Sequence, residues 1–126
     1  MQSISPETIY RGNHAWEESL PQITKLTKSP LILGRGIHTK NLRNNISIDL
    51  KNLNLSVNSA DLQFDCCSED ISRVKNIISN NKNDSVIAAG GGKVLDSGKY
   101  IAESLNIPCI TAVSYTHLTL PTKRIV

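Results

Sequence analysis

Residues 84–111, DSVIAAGGGKVLDSGKYIAESLNIPCIT, read as a buried strand, a three-glycine turn, an amphipathic helix and a second strand. The apolar run Ser85 to Ala89 leads directly into Gly90, Gly91 and Gly92. Without side chains, these residues let an anion approach backbone N–H groups at a helix N-terminus, and Lys93 adds a full positive charge there. The spacing of Val94, Leu95, Gly98, Ile101, Ala102 and Leu105 predicts a helix with one apolar stripe turned to a sheet. Gly98 lies inside that stripe, where it costs roughly 1 kcal/mol of helix propensity, so its place there predicts close approach of helix and strand. Lys99 and Glu103 are placed for an i,i+4 pair on the outer face. Asn106 closes the helix, and Ile107 to Thr111 begins a second strand with Pro108 near its start. The unit is a phosphate-binding βαβ element.

Two generic motifs fail on this turn. A P-loop requires a glycine five residues before the Gly-Lys pair and a hydroxyl after it, but Ile87 and Val94 occupy those positions. Nucleotide hydrolysis is therefore disfavoured. The dinucleotide fingerprint G-x-G-x-x-G fits Gly90 and Gly92 but meets Leu95 in place of the third glycine.

The segment resembles the glycerol dehydrogenase family of NAD-dependent, metal-dependent polyol and alcohol dehydrogenases, which is related to dehydroquinate synthase and includes the iron-containing alcohol dehydrogenases. The family hallmark Gly-Gly-Gly-Lys-x-x-Asp is present as Gly90, Gly91, Gly92, Lys93 and Asp96. Upstream, Ile9 to Gly12 resembles the family's opening strand and turn, Leu31 to Gly34 its second strand, and Phe64 to Ser68 the acidic-Cys-Ser approach to the next helix. The resemblance implies an α/β fold, a Rossmann-like parallel sheet with helices on both faces, that stops before the helical metal-binding domain. It also implies NAD or NADP as cofactor and an alcohol or polyol as substrate of the full-length protein. Carried over by motif position, Gly91 and Gly92 would contact the pyrophosphate through their backbone, Lys93 would supply charge, and Asp96 would lie near the nicotinamide end. The family holds Zn or Fe through an Asp and two His of its second domain. This chain is expected not to reach that domain and to be inactive alone.

The turn Gly34-Arg35-Gly36 follows the second predicted strand, where a dinucleotide's adenosine ribose would be read. The family often has Asp after this first glycine. Arg35 in its place reads either as tolerance of, or preference for, the 2′-phosphate of NADP, or as a solvated arginine on a tight turn.

Elsewhere helix and strand patterns alternate as a parallel sheet requires. Residues 13–27 read as a helix through Trp16, Leu20 and Ile23, with Pro21 marking a kink or restart. Leu31 to Leu33 reads as a strand, 38–51 as a helix and 54–57 as a strand. Leu62 to Phe64 reads as extended. Ser68 then caps a helix with Ile71, Val74, Ile77 and Ile78 inside and Glu69 and Asp70 in its first turn.

Residues 112–126 break the family pattern. From Val113 to Thr122 they read Val-Ser-Tyr-Thr-His-Leu-Thr-Leu-Pro-Thr, which resembles the translated sequencing-adapter ends of fragmentary metagenomic reading frames. The expected division is therefore 1–111 as an incomplete NAD(P)-binding domain and 112–126 as a non-native tail, with any strand in that tail lacking tertiary contacts.

Composition agrees with this reading. The chain has 126 residues, 39% hydrophobic, with a net charge of +3. Two of those three positive charges are Lys123 and Arg124, so no nucleic-acid surface is implied. No run approaches the roughly 18 apolar residues of a membrane span. Met1 to Pro6 lacks a signal-peptide core, and a cytoplasmic location is expected. Three cysteines, Cys66, Cys67 and Cys109, argue against a disulfide framework and read as reduced thiols. His14, His38 and His117 are too scattered to suggest a metal site. Two other readings remain open. One is the same half-domain of a dehydroquinate synthase or glycerol-1-phosphate dehydrogenase relative, and the other is a non-catalytic anion-binding module.

Overall fold

The computed structural model describes residues 7–37, 39–63 and 68–121. Six strands form one mostly parallel sheet in the order β1-β6-β5-β4-β2-β3. They are β1 (Glu7–Arg11), β2 (Pro30–Gly34), β3 (Asn58–Asp61), β4 (Ser85–Ala89), β5 (Cys109–Ser114) and β6 (His117–Pro121). Helices α1 (Ala15–Leu26), α2 (Lys40–Asn52), α3 (Ser68–Asn81) and α4 (Gly92–Leu105) connect them.

The central strands β2 and β4 are buried at every position, so alternate residues feed two cores. Ile32, Ile87, Ala89, Ile110 and Ala112 meet α1 and α2 through Trp16, Ile23, Leu26, Ile46 and Leu50. Leu31, Leu33, Val86 and Ala88 meet α3 and α4 through Val74, Ile78, Val94, Ile101 and Ala102. The result is the layered α/β architecture expected, with helices on both faces.

Gly98 behaves as its place in the stripe predicts. A Cβ built on it would lie 2.6 Å from the Cβ of Ala88 in β4. Helix α1 runs without interruption through Pro21, which is exposed. The third strand lies later than expected, at Asn58–Asp61 instead of 54–57. Asn54 takes a left-handed φ of 67° at the end of α2. Leu55 then donates its N–H back to Leu50 O, and Ser56 donates to Lys28 O. Asn54 and Leu55 are thus committed to closing the helix and Ser56 to the chain just before β2, and only from Asn58 does the chain enter the ladder with Leu31 to Gly34. Helix α3 begins at Ser68. The proposed approach Phe64 to Cys67, with Cys66 and Cys67, lies outside the described residues, as do His38 and residues 122–126.

The expectation that a strand beyond residue 111 would lack tertiary contacts is corrected. β5 continues through Ser114, and β6 lies between β5 and β1, antiparallel to both. Leu118 and Leu120 are fully buried in the core under α1. The hairpin turn also docks: Trp16 N–H donates to Tyr115 O, Gly12 N–H donates to Thr116 O, and the Trp16 and Tyr115 rings meet edge to face at 6.5 Å. The physical reason is the alternation of His117-Leu118-Thr119-Leu120, which presents two leucines to one face, enough to fill a sheet position.

Candidate functional site

The site grows from the way the chain leaves β2 and β4. These strands are parallel neighbours, with Leu33 opposite Ala88. β2 hands the chain to α2 on one face and to β3 on one side. β4 hands it to α4 on the other face and to β5 on the other side. Two neighbouring strands whose connections depart in opposite directions leave a crevice at their carboxyl ends, the topological switch point of an open α/β sheet.

The glycine turn forms one wall of that crevice. Gly90 has φ +145°, a conformation that side chains rarely adopt, and its N–H is bonded to Ala112 O at 3.0 Å. It therefore ends the strand and turns the chain. Gly91 is extended (φ −84°, ψ −171°) and caps α4, whose first internal bond runs from Leu95 N–H to Gly91 O at 3.0 Å. The N–H groups that precede that bond belong to the first turn of α4, the positive end of the helix. A Cβ on Gly91 or Gly92 would meet nothing within 4 Å, so both residues border open space.

The opposite wall comes from the Gly34-Arg35-Gly36 turn and the start of α2. Thr39 at the N-cap of α2 comes close to Gly90: a Cβ there would lie 3.7 Å from Thr39 Cγ2. Two helix N-termini thus converge on one crevice. Neither α2 nor α4 carries an acidic residue in its first turn, whereas α1 has Glu17 and Glu18 and α3 has Glu69 and Asp70. The positive helix ends at the crevice are not neutralised by their own first turns, which favours an anionic ligand.

Of the residues singled out from sequence, Gly90, Gly91, Gly92 and Lys93 follow the carboxyl end of β4, and Arg35 follows that of its parallel neighbour β2. Arg35 is half-buried and Lys93 exposed. Asp96 is one turn further into α4 and lines an open groove of about 440 Å³ between α3 and α4 with Ser68, Ile71, Ser72, Lys75, Ser97 and Tyr100.

Sequence reasoning missed Arg43. This residue of α2 is buried, and its guanidinium bonds the Asp61 carboxylate, the Gly36 carbonyl and, from Nε, Thr39 Oγ1 at 3.3 Å. A Cβ on Gly34 would overlap the Arg43 Cδ, Nε and Cζ atoms. Two signals were available: Arg43 shares a helix face with Ile46 and Leu50, and a glycine ends β2.

Among the described residues, no group of three or more His, Cys, Asp or Glu side chains could hold a metal ion. Cys109 is a free, half-buried thiol in β5. Burial pushes it up from 9.0 to about 12, against the smaller opposing effect of Lys99. At neutral pH it is held as the neutral thiol, packed against the core of α3 and α4.

The sequence model of the iron-containing alcohol dehydrogenases matches residues 6–124. The chain belongs to the iron-containing alcohol dehydrogenase family. Glycerol dehydrogenase 1 of Schizosaccharomyces pombe (strain 972 / ATCC 24843) is 28% identical over 107 residues, which is 84% of this chain and 24% of the relative. The crystal structure of glycerol dehydrogenase from Schizosaccharomyces pombe superposes with a TM-score of 0.70 at 24% identity, over 81% of this chain and 26% of that one. A probable glycerol dehydrogenase from Sinorhizobium meliloti 1021 gives a TM-score of 0.58 at 23% identity, over 76% and 24% of the two chains. The chain thus spans about a quarter of the length of these family members. At these identities the two structures speak for the fold. No helix among the described residues is long and apolar enough to cross a membrane.

Proposed function

We propose that this chain is an incomplete dinucleotide-binding domain, from the cofactor-binding half of an NAD(P)-dependent, metal-dependent glycerol or alcohol dehydrogenase of the cytoplasm. The observation that carries the reading is the open cradle at Gly91 and Gly92, where a Cβ on either residue would meet no atom of the described residues within 4 Å. A pyrophosphate fits such a cradle. Its oxygens would accept from the N–H groups of the first turn of α4, and Lys93 would add charge. Arg35, at the end of the neighbouring strand, is suited to an adenosine 2′-phosphate, and Asp96 is assigned to the nicotinamide end by its motif position. When bound, the nicotinamide accepts a hydride from the carbon bearing the substrate hydroxyl. The residues of this chain bind and orient the dinucleotide through its phosphates.

The described residues do not fit the family's catalytic metal, since no three of their His, Cys, Asp or Glu side chains come together to hold one. Metal and alcohol binding are assigned to the larger part of the family's length that this chain does not span. Because the relatives matched are glycerol dehydrogenases, a polyol or alcohol is favoured over a phosphorylated substrate. We also propose that residues 112–126 are non-native in origin, although the family model extends to residue 124; their packing does not decide the matter, since a sheet position accepts many sequences of suitable alternation.

Titration of the chain with NAD+ and NADP+ by calorimetry tests the reading, using Gly91→Val and Gly92→Val. Neither backbone needs a positive φ and neither Cβ meets a neighbour, so both variants are expected to fold. Loss of dinucleotide binding in both is expected. Unchanged affinity in both would refute the phosphate cradle.

A further inference from the structure

Arg43 is a buried charge in a helix that otherwise buries Ile46 and Leu50. A well-packed apolar residue at such a position usually serves stability as well or better. The arginine is therefore better explained by what its fork holds. Its stem passes over Gly34, which has no room for a Cβ. Its Nη2 donates to Gly36 O, where the backbone takes a positive φ of 70°. Its Nη1 pairs with Asp61 at the end of β3, and its Nε reaches Thr39 at the start of α2. Arg35 thus lies between two backbone points that Arg43 fixes, one beneath its stem and one on its fork.

We propose that Arg43 is a positioning residue for cofactor discrimination. By clamping Gly34 and Gly36, it holds Arg35 at the adenosine end of the crevice, where Arg35 recognises a 2′-phosphate. This rests on reading the crevice as a dinucleotide site. Asp61 is a component of the clamp: its side chain is 57% exposed while that of Arg43 is only 8% exposed, so it anchors the buried guanidinium from the rim. Lysine cannot replace the clamp, because a single ammonium lacks the planar fork that spans three acceptors.

The test is calorimetric titration of the 126-residue chain with NADP+ and NAD+, read as the ratio of the two affinities. That ratio cancels any general loss of folded protein, which a merely structural role would produce. The unmodified chain is expected to favour NADP+. Arg35→Ala should reduce the ratio roughly tenfold or more, the lower end for a charge-assisted contact to phosphate. Arg43→Lys should reduce it about fivefold, and the near-isosteric Asp61→Asn about two- to threefold in the same direction. If the ratio responds to Arg35→Ala but not to Arg43→Lys, the positioning role is overturned and the crevice reading stands. If the chain binds neither dinucleotide, both fall together. A ratio indifferent to Arg35→Ala overturns the 2′-phosphate assignment and the positioning role, and leaves the cradle at Gly91 and Gly92 standing. Should Arg43→Lys fail to fold, Asp61→Asn decides by the same criterion.

Discussion

Gly98→Ala separates close helix–sheet packing from ordinary helix propensity, because the two effects have opposite signs. An exposed helical glycine gains about 1 kcal/mol when replaced by alanine. Here the new Cβ would lie 2.6 Å from the Cβ of Ala88, whereas carbon atoms are most favourable at about 3.5–4.0 Å. Relief therefore needs a shift of about 1 Å. Ala88 cannot supply it, since β4 is locked between β2 and β5 and buried throughout. Helix α4 must lift instead, loosening Val94, Ile101 and Ala102 against the sheet. Overpacking of this kind costs about 1–3 kcal/mol. Set against the propensity gain, the expected net loss is about 1 kcal/mol, a drop in Tm of about 4 °C.

Urea denaturation followed by far-UV circular dichroism measures the loss directly. Ala88→Gly removes the obstructing atom, so in that background Gly98→Ala should become stabilising by about 1 kcal/mol. The coupling energy of the double-mutant cycle should then be about 2 kcal/mol, within the usual range for residues in contact. A Gly98→Ala variant more stable than the parent with Ala88 intact would refute the close approach.

Four further outcomes are expected. Gly34→Ala should cost at least about 2 kcal/mol in urea denaturation, since the Arg43 side chain must leave its buried path; a neutral result would contradict the clamp. The isolated chain should oxidise no alcohol or polyol with NAD+ or NADP+, whatever divalent metal is added; metal-dependent turnover above a Lys93→Ala control would overturn the division of labour proposed. Because burial raises Cys109 above its ordinary 9.0, its stabilising effect is fully present below pH 9 and is lost as the pH rises toward about 12. Relative to Cys109→Ala, stability should fall by about 1.4 kcal/mol per pH unit above 9, and equal pH slopes for the two proteins would contradict this. Deleting residues 117–121 should abolish cooperative unfolding, because it strips Leu118 and Leu120 from the core and leaves β1 without a neighbour.

What was legible in the sequence followed from local rules. A three-glycine turn between a buried strand and a periodic helix has few other folds open to it, so Gly90 to Leu105 read through to the correct βαβ unit. Even there, local rules could not tell which glycine is conformationally required. The structure gives that role to Gly90, whose N–H closes onto Ala112, a partner distant in sequence. Arg43 was hidden for the same reason. A single arginine in a polar helix reads as solvated until Asp61 and Gly36 are brought beside it by the sheet. Asp70 was expected to favour its helix dipole. It does more, since its buried carboxylate accepts from Gln63 N–H and from Arg73.

Strand β6 holds its sheet position through its alternation and a docked turn. His117 to Pro121 supplies two inward leucines between more exposed polar residues, and with the preceding turn at Tyr115 and Thr116 it pairs with β5 and β1 at once. Its register is set by burial, because a one-residue slip would turn Leu118 and Leu120 to solvent and Thr119 to the core. Trp16 then fixes the turn from outside, donating from its indole to Asp49 at 2.7 Å while its ring edge meets Tyr115. None of these interactions touches the crevice at Gly90 to Lys93 except through one bond, Gly90 N–H to Ala112 O. The two sides of the sheet are therefore joined mechanically at β5, so pairing that satisfies β5 on its β6 edge also supports the geometry of the glycine turn on its β4 edge.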